Sequence, residues 1–336
     1  MLTVELSRIL DKIPGKIITR FAPAPTGALH AGHILSAMFV WGIGRLSGAE
    51  ILLRIEDHDR ERSRREYETG ILEDLMWLGF IQGADVVKKG TPFMHGAENS
   101  DHSGHNPVSL EIASIRKSEL FIRQSERNHF YDNILFRLRQ DYNVYFCNCS
   151  RNDLQKRNPG VPGEIPYDGF CAGKNITEDD ASSIRLELSH ENIEFYDAVF
   201  GLQNHIPKNQ CGDLLIRDRK GNWTYQFCAA ADDMDQGVNF VIRGEDLFDS
   251  SARQVQLGRM LGRKNDIVFL HHPLIYNAGG QKLAKSIGSD GIADLREKGR
   301  EPGDIMGKIA REAGLIAEKR YLYADEIEKI FEPFVR

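Results

Sequence analysis

The sequence predicts an α/β fold with a doubly wound, Rossmann-type parallel sheet, and two kinds of pattern near its start support this. Lys16 to Phe21 and Glu50 to Ile55 are short apolar runs bounded by turn residues, as buried strands are. After each run, apolar residues recur at helical spacing, over about Leu29 to Leu46 and from Tyr67 to Leu78. Strands that alternate with helices in this way favour a parallel sheet, because a helix must carry the chain back between parallel strands.

Local signals mark the ends of these elements. Pro23, Pro25 and Gly27 interrupt the chain after the first strand and predict a loop. Ser63 followed by Glu66 fits a capping box, which predicts that the second helix begins there.

Strand and helix signals resume after residue 212. Asp213 to Asp218 and Trp223 to Phe227 are strand-like runs on either side of Arg219 to Asn222, which predicts a hairpin. The other predicted elements are a helix over Arg127 to Asp141, strands over Phe240 to Ile242 and Ile267 to Leu270, and a helix from Ser250 or Ser251 to Leu261.

We therefore divide the chain into three parts. A split Rossmann-type catalytic domain takes residues 1–87 and 213–275, and an insertion takes residues 88–212. Residues 276–336 are helical and charged after Ser286. Residues 83–118 are rich in Gly, Asn, Ser and His and lack apolar periodicity, which predicts a surface segment.

Composition limits the class of protein. The 336 residues are 41% hydrophobic and 27% charged, which is ordinary for a globular chain. A net charge of −6 argues against non-specific nucleic-acid binding, although a local basic surface could still hold an RNA. The N-terminus lacks the features of a secretory signal, and no apolar run approaches the roughly 18 residues of a membrane helix. We expect a cytoplasmic protein that is a monomer and does not enter a membrane.

The most informative motif is RFAPAPTGALHAGH at residues 20–33. A strand that runs into a Pro/Gly loop and then a helix start presents backbone N–H groups and the positive helix end to an anion. His30 and His33 lie on one face of the first turn and could hydrogen-bond phosphate oxygens, while Gly32 allows a ligand to approach closely. Two such histidines are more often cap or surface residues when nothing else accompanies them.

Other motifs do accompany them. The segment FAPAPTGALHAGH resembles the HIGH signature of class I aminoacyl-tRNA synthetases in its glutamyl form. RIED at residues 54–57, followed by DRE at 59–61, resembles that group's second-strand motif, and KLAKS at 282–286 resembles its KMSKS loop. The three motifs follow the family's order, and the similarity runs from about Lys16 to Ser286.

Within that group, the sequence is most similar to the glutamyl-Q tRNA(Asp) synthetase family. Residues 213–247 follow its pattern for most of their length, and CNC at 147–149 with YDGFC at 167–171 matches its zinc motif. The resemblance implies that ATP activates L-glutamate and that glutamate passes to the queuosine base of tRNA(Asp). The chain stops about 50 residues after KLAKS, so we expect no anticodon-binding domain.

The resemblance also assigns residues to roles. Glutamate has two carboxylates and an ammonium, so its pocket needs cations and an anion. The glutamate-binding residues it implies are Arg20, Ala22, Ala24, Glu56, Tyr225 and Arg243, with the arginines on the carboxylates and Glu56 on the ammonium. The implied ATP-binding residues are His30, Gly32, His33 and Lys285, and the implied catalytic residues are His30, His33, Lys282 and Lys285. Mg²⁺ is expected to accompany ATP.

The cysteines indicate a metal. Cys147, Cys149 and Cys171 cluster in a chain expected to be cytosolic, where thiolates bind metal more often than they pair as disulfides. By resemblance, Tyr167 is the fourth ligand of one structural Zn²⁺ per chain. Plain buried cysteines are the alternative, which fits Cys211 and Cys228 better.

Some features depart from the family's pattern or stay open. Ala24 stands where the family usually has serine, so a hydroxyl contact to glutamate is absent. Ala284 also stands where serine is usual, which alters either the mobility of the loop or one phosphate contact, while both lysines remain. Histidines in the 83–118 segment could bind a metal or belong to a polar loop, and several basic residues could face tRNA or only water; they are His95, His102, His105, Lys88, Lys89, Arg116, Lys117, Arg123 and Arg127.

Two other functions compete with the leading hypothesis. A compact glutamyl-tRNA synthetase would charge the tRNA 3′ end, and a non-catalytic regulatory protein would bind glutamate alone. The complete set of His30, His33, Lys282 and Lys285 argues against the second of these.

Overall fold

The computed structural model describes residues 8, 11–13, 15–81, 112, 115, 121–161, 163–178, 182–275 and 291–334. The strands are β1 Ile18–Phe21, β2 Glu50–Ile55, β3 Phe121–Arg123, β4 Val144–Cys147, β5 Ser183–Leu186, β6 Ile193–Asp197, β7 Gly201–His205, β8 Leu214–Arg217, β9 Phe240–Gly244 and β10 Val268–His272. The helices are α1 Ala31–Leu46, α2 Arg65–Trp77, α3 Asn128–Asp141, α4 Arg151–Arg157, α5 Pro207–Cys211, α6 Tyr225–Asp235, α7 Ser251–Met260, α8 Ile292–Glu297 and α9 Pro302–Glu312. Short 3₁₀ helices span Gln124–Arg127, Glu245–Ser250, Ala324–Ile330 and Glu332–Phe334.

Two sheets with parallel strands form the centre of the fold. β1, β2 and β3 are parallel neighbours in that order. In the second sheet β10 lies between β6 and β9, parallel to both, and β7 adds an antiparallel edge to β6. The predicted α/β fold with a parallel sheet is therefore confirmed.

Asn239 joins the two sheets side by side. Its side-chain oxygen accepts a hydrogen bond from the backbone N–H of Ile18 at 2.9 Å, and its own N–H donates to the Ile18 carbonyl at 3.1 Å. β1 therefore lies next to β9, and the carboxyl ends of both strands open on the same edge. Ligands of open parallel sheets bind at such an edge, where strand order reverses.

The core is built around α1, which is apolar on nearly every side. Met38, Phe39 and Ile43 on this helix are fully buried, as is Phe331 from the C-terminal segment. Phe331 stacks at a tilt on Phe39, with ring centroids 4.8 Å apart. Each such side chain contributes about 1.5–3 kcal/mol by leaving water, so the C-terminal segment is part of the core.

A third sheet is antiparallel, with β5 between β4 and β8. β4 and β5 lie in the stretch predicted as an insertion, whereas β8 lies in the part of the chain assigned to the catalytic domain. That stretch, residues 88–212, also contains β3, β6 and β7, which pair within the two parallel-type sheets. The division of the chain into domains therefore stays a proposal.

Two local predictions were wrong. The helix predicted to be capped by Ser63 has Arg64 at its N-cap position and no side-chain cap, because loop contacts hold the backbone there. The predicted strand Trp223–Phe227 is reduced to one bridge at Trp223, and Tyr225 already begins α6. Thr224 turns the chain by bonding Leu215 through its hydroxyl. The turn over residues 218–222 is present, and in it the Asp218 N–H donates a hydrogen bond to the Asn222 carbonyl oxygen.

The KLAKS loop at 282–286 lies outside the described residues, as do His95, His102, His105, Lys88, Lys89, Arg116 and Lys117. Of the 83–118 segment, the structure describes Ile112 and Ile115, both buried. Within the described residues, no helix combines the length and the apolar character needed to cross a bilayer.

Two helical glycines give a test of this packing. A Cβ on Gly307 in α9 would lie 1.7 Å from the backbone oxygen of Arg320, whereas one on Gly70 in α2 would meet nothing within 4 Å. We expect Gly70→Ala to raise the free energy of unfolding by about 1 kcal/mol through helix propensity. Gly307→Ala should lower it by about 1–3 kcal/mol through overpacking. Urea denaturation of both variants measures this, and stabilisation by both would contradict the packing of α9.

Candidate active site

His30 and His33 lie at the N-terminus of α1, as the sequence predicts. His30 is the N-cap, and its Nδ1 accepts a hydrogen bond from the Gly32 N–H at 3.1 Å. The Nδ1 of His33 accepts from the His30 N–H at 3.2 Å, and the two rings are 3.8 Å apart. A neutral ring that accepts at Nδ1 carries its proton on Nε2. Each histidine therefore has an Nε2–H donor beside the positive end of a helix, as phosphate binding requires.

A buried acidic residue connects the first two strands to α6. Asp233 accepts from the Nη1 of Arg54 at 2.7 Å and from the Nε of Arg20 at 3.1 Å. All three side chains are buried, and Arg54 has no exposed surface. Burial raises the pKa of Asp233, but the two guanidinium groups outweigh it and the net pKa lies below the usual range.

Glu56 follows β2 and faces the same cluster. Its Oε1 lies 3.3 Å from the Nη2 of Arg54, and the side chain is buried. Burial raises the pKa of Glu56, and the nearby positive charges, chiefly Arg54, lower it. The effect of burial is larger, so the net pKa is raised. An additional cation would stabilise the charged form of a buried carboxylate whose pKa is raised in this way. The ammonium of an amino acid could be that cation.

Arg243 on β9 is a buried cation with neutral partners. It donates to the side-chain oxygens of Gln254 at 2.7 Å and Ser251 at 2.8 Å, and to the Nε2 of His271 at 3.0 Å. Within the described part of the chain, Arg243 forms no direct ion pair. Burial lowers the pKa of Arg243. A carboxylate ligand would relieve that cost, because it would supply the missing negative charge.

Tyr225 and the proline loop complete the described pocket. Tyr225 begins α6, and burial raises the pKa of its hydroxyl, with the charges of Arg243 and Glu56 acting in opposite directions. Ala22 and Ala24 are half-buried in the loop after β1. The loop lies against the end of β2, where the Glu56 N–H donates to the Pro23 carbonyl at 3.0 Å.

The structure thus brings most predicted pocket residues to one edge of the parallel sheets. Arg20, Glu56, Tyr225 and Arg243 come from β1, the end of β2, α6 and β9, and Arg20 also donates to the Ile242 carbonyl at 3.3 Å. Their contacts with a ligand stay predictions, and Lys282 and Lys285 lie outside the described residues. Four buried residues that support the pocket were not predicted from the sequence: Arg54, Asp197, Asp233 and His271.

Those four residues had only weak signals in the sequence. Arg54 is in the RIED motif, but the sequence predicts only that it lies in a strand and not which face of the sheet its side chain is on. Asp233 lies 179 positions from Arg54, and no periodic pattern connects them. A buried charge inside an apolar strand or helix was the available sign, since such a charge must have a partner in the fold.

The cysteine cluster forms a separate candidate metal site. The sulfurs of Cys147, Cys149 and Cys171 all lie within 4.8 Å of one another, and the Cys149 and Cys171 sulfurs are 3.5 Å apart. The Tyr167 hydroxyl oxygen lies 3.2 Å from the Cys147 sulfur and 3.6 Å from the Cys149 sulfur. Tetrahedral zinc with ligand bonds of about 2.0–2.3 Å needs donors roughly 3.3–3.8 Å apart. The donor set therefore fits a tetrahedral ion.

Arg157 and Gly212 support this cluster. The Nη2 of Arg157 lies 3.5 Å from the Cys149 sulfur and lowers the pKa of that thiol, but burial outweighs this contact and the net pKa of Cys149 is raised. Gly212 has φ +67°, and a Cβ would be 1.9 Å from the Tyr167 carbonyl oxygen. Glycine at this position therefore lets the backbone pass close to Tyr167.

Comparison with known proteins agrees with this geometry. The family model of class I tRNA synthetases (E and Q), catalytic domain, matches residues 16–334. A glutamyl-Q tRNA(Asp) synthetase of Symbiobacterium thermophilum is 33% identical over 328 residues, covering 93% of this chain and 91% of that protein. A glutamate–tRNA ligase 2 of Cereibacter sphaeroides is 32% identical, covering 88% of this chain but 60% of the ligase.

A solved structure shows the same fold. A glutamate tRNA ligase from Elizabethkingia meningosepticum matches with a TM-score of 0.67 at 24% identity, over 95% of this chain and 65% of that one. Together with the family match over residues 16–334, this establishes the class I catalytic fold. The chain belongs to the class I tRNA synthetases of the glutamate and glutamine (E and Q) group, and it is an enzyme of the ligase type.

Proposed function

We propose that this enzyme activates L-glutamate with ATP and transfers the glutamyl group to the queuosine base of tRNA(Asp). The observation that carries the amino-acid part is Arg243, a buried arginine with neutral hydrogen-bond partners, in the same pocket as the buried carboxylate of Glu56. A ligand with a carboxylate and an ammonium satisfies both charges. Glutamate supplies a second carboxylate for Arg20, which is partly neutralised by Asp233.

Activation needs no protein nucleophile. The α-carboxylate oxygen of glutamate attacks the α-phosphorus of ATP, the bond to the bridging oxygen breaks, and pyrophosphate leaves. The enzyme contributes position and charge stabilisation. The Nε2–H groups of His30 and His33 would donate to phosphate oxygens at the start of α1. Lys282 and Lys285 are proposed to neutralise the departing pyrophosphate, and Mg²⁺ bound to ATP would add positive charge there.

Transfer completes the reaction. A hydroxyl of the acceptor attacks the carbonyl carbon of the glutamyl adenylate, and AMP leaves with the bonding electrons. The relatives support two acceptors. Proteins named glutamyl-Q tRNA(Asp) synthetase are matched over 91% and 99% of their lengths, whereas the glutamate–tRNA ligases are matched over about 60% of theirs. We propose the acceptor that the names of the first two of these relatives give, the queuosine base, over the tRNA 3′ end.

We also propose that the cysteine cluster holds one structural zinc ion. Cys147, Cys149, Cys171 and Tyr167 present three sulfurs and one oxygen at tetrahedral spacings. The cluster packs beside the antiparallel sheet, with Cys147 at the end of β4. Zinc there would fix the loop of residues 167–171 to that sheet without taking part in the chemistry.

Arg243→Lys tests the glutamate pocket. Lysine keeps the positive charge but cannot reproduce the fork that bonds a carboxylate while it is held by Gln254, Ser251 and His271. We expect the KM for glutamate to rise about 10- to 100-fold, since charged hydrogen bonds contribute about 1.5–3 kcal/mol. The KM for ATP should stay within about twofold of wild type. ATP–pyrophosphate exchange measures both constants, and an equal rise in the two would contradict the assignment.

The acceptor is tested with truncated tRNA. We expect labelled glutamate to be attached to queuosine-containing tRNA(Asp) even when its 3′-terminal adenosine has been removed. The same tRNA lacking queuosine should accept none. Digestion to nucleosides identifies the labelled product. Label that depends on the 3′ adenosine and not on queuosine would establish the compact glutamyl-tRNA synthetase in place of our proposal.

Cys149→Ser tests the zinc site. Serine is a poor zinc ligand, so we expect the zinc content to fall from about one ion per chain and the melting temperature to drop. Cys228→Ser is the matched control, because Cys228 is a buried cysteine that lies outside the cluster. It should retain zinc even if it is less stable. Unchanged zinc in the Cys149 variant would remove the proposed site.

A further inference from the structure

A chain of buried polar groups stands behind Arg243. The carboxylate oxygen Oδ2 of Asp197 lies 2.6 Å from Nδ1 of His271, and Nε2 of His271 lies 3.0 Å from Nε of Arg243. Asp197 and His271 have no exposed surface, and Arg243 is 4% exposed. The three residues come from β6, β10 and β9, which are neighbouring parallel strands.

The hydrogen bonds determine where the His271 proton is. The Nε of Arg243 has one hydrogen and can only donate, so Nε2 of His271 must be an unprotonated acceptor. The Ser251 hydroxyl fits the same arrangement, because it accepts from Arg243 at 2.8 Å and can donate to Nε2 at 3.2 Å. The proton therefore lies on Nδ1, where the carboxylate of Asp197 receives it.

Asp197 has a second, independent task. Its other oxygen, Oδ1, accepts the backbone N–H groups of Val199 at 2.8 Å and Phe200 at 2.9 Å. These bonds hold the turn between β6 and β7. Because Oδ1 is committed to that turn, Oδ2 has a fixed direction towards His271.

We propose that Asp197 and His271 are positioning residues for amino-acid activation: they hold Arg243 in the orientation that receives a substrate carboxylate. The inference rests on the proposed role of Arg243 in the glutamate pocket. The side chain of Arg243 is long and flexible, and its orientation would cost free energy on each binding event unless the protein fixed it beforehand. Asp197 acts indirectly, because it fixes the tautomer and the ring orientation of His271.

This arrangement depends on pH. Burial lowers the pKa of His271, and the positive charges of Arg243 on β9 and Arg20 on β1 lower it further, against the raising effect of Asp197 on β6. The facing residue on α7, Ser251, is neutral. Neutral His271 therefore persists below its ordinary pKa of about 6.5. Above pH 6.5, His271 is neutral and holds Arg243 in position. This hold is lost as the pH falls through the lowered pKa of His271, because a proton on Nε2 opposes the Arg243 N–H.

Asp197→Asn is the decisive variant. The amide oxygen of the asparagine must stay with the Val199 and Phe200 N–H groups, so its NH₂ group faces Nδ1 of His271. That contact requires Nδ1 to accept and moves the proton to Nε2, where it opposes Arg243. We expect the glutamate KM to rise about tenfold or more, the ATP KM to change less than twofold, and the turn to remain.

A second variant separates positioning from general damage. His271→Gln offers an acceptor oxygen to Arg243 and has no tautomer to set. We expect it to retain a glutamate KM nearer to wild type, and Asp197→Asn should then add little in the His271→Gln background. Such non-additivity is the sign of two residues acting through one another. Asp213→Asn is the matched control, because Asp213 is a carboxylate of nearly equal burial that directly precedes β8 of the antiparallel sheet. It should leave the glutamate KM unchanged.

Nitrogen-15 NMR of ligand-free protein provides a readout that needs no activity. At pH 7.5 we expect the His271 shifts of a neutral ring with its proton on Nδ1. A proton on Nε2, or a doubly protonated ring, would overturn the inference. So would additive effects of the two substitutions, or an unchanged glutamate KM in Asp197→Asn. If wild-type protein shows no glutamate-dependent exchange but the NMR result holds, the proposed function fails and the tautomer assignment stands.

Discussion

The buried carboxylate of Asp233 is the interaction on which the pocket depends. It lies between Arg54 on β2 and Arg20 on β1, at 2.7 Å and 3.1 Å. Two like charges on neighbouring strands would repel one another in a buried site, and Asp233 removes that repulsion. Replacement of Asp233 would leave Arg20 without its carboxylate partner and Arg54 with Glu56 alone, so we expect it to weaken both the fold and the site.

The same principle explains the division of work among the arginines. Arg54 is fully buried and its charge is paired with Asp233 and Glu56, so its role is to support the pocket. Arg20 is partly neutralised. Arg243 is held by neutral groups alone within the described chain, which leaves its charge for a ligand. A pocket with one fully paired, one partly paired and one unpaired arginine, together with Glu56, matches the charges of an acidic amino acid.

Much of the fold could be predicted from the sequence, because its early strands and helices have strong periodic patterns. β2 has the predicted bounds, and α1 differs from its prediction by two residues at its start. Errors occurred where side chains and tertiary contacts competed with local pattern. Trp223 begins an apolar run that favours a strand, but the Ala-rich stretch after Tyr225 and the Thr224 contact with Leu215 turn it into a helix.

The site was predictable in part and for a different reason. Its pocket residues came from resemblance to a family's motifs, and the structure brings Arg20, Glu56, Tyr225 and Arg243 together. The supporting charges could not be predicted, since Asp233 and His271 meet their partners across long separations in the chain. Contacts of this kind depend on strand order, and single-sequence patterns contain no information about which strands become neighbours.

Amino-acid activation is the central claim, and ATP–pyrophosphate exchange with L-glutamate in the absence of tRNA tests it most directly. We predict exchange that requires L-glutamate, is not supported by L-glutamine, and proceeds without tRNA. Exchange that appears only when tRNA is added would indicate the mechanism of a glutamyl-tRNA synthetase. No exchange under either condition would contradict the claim and leave a protein that binds glutamate without activating it.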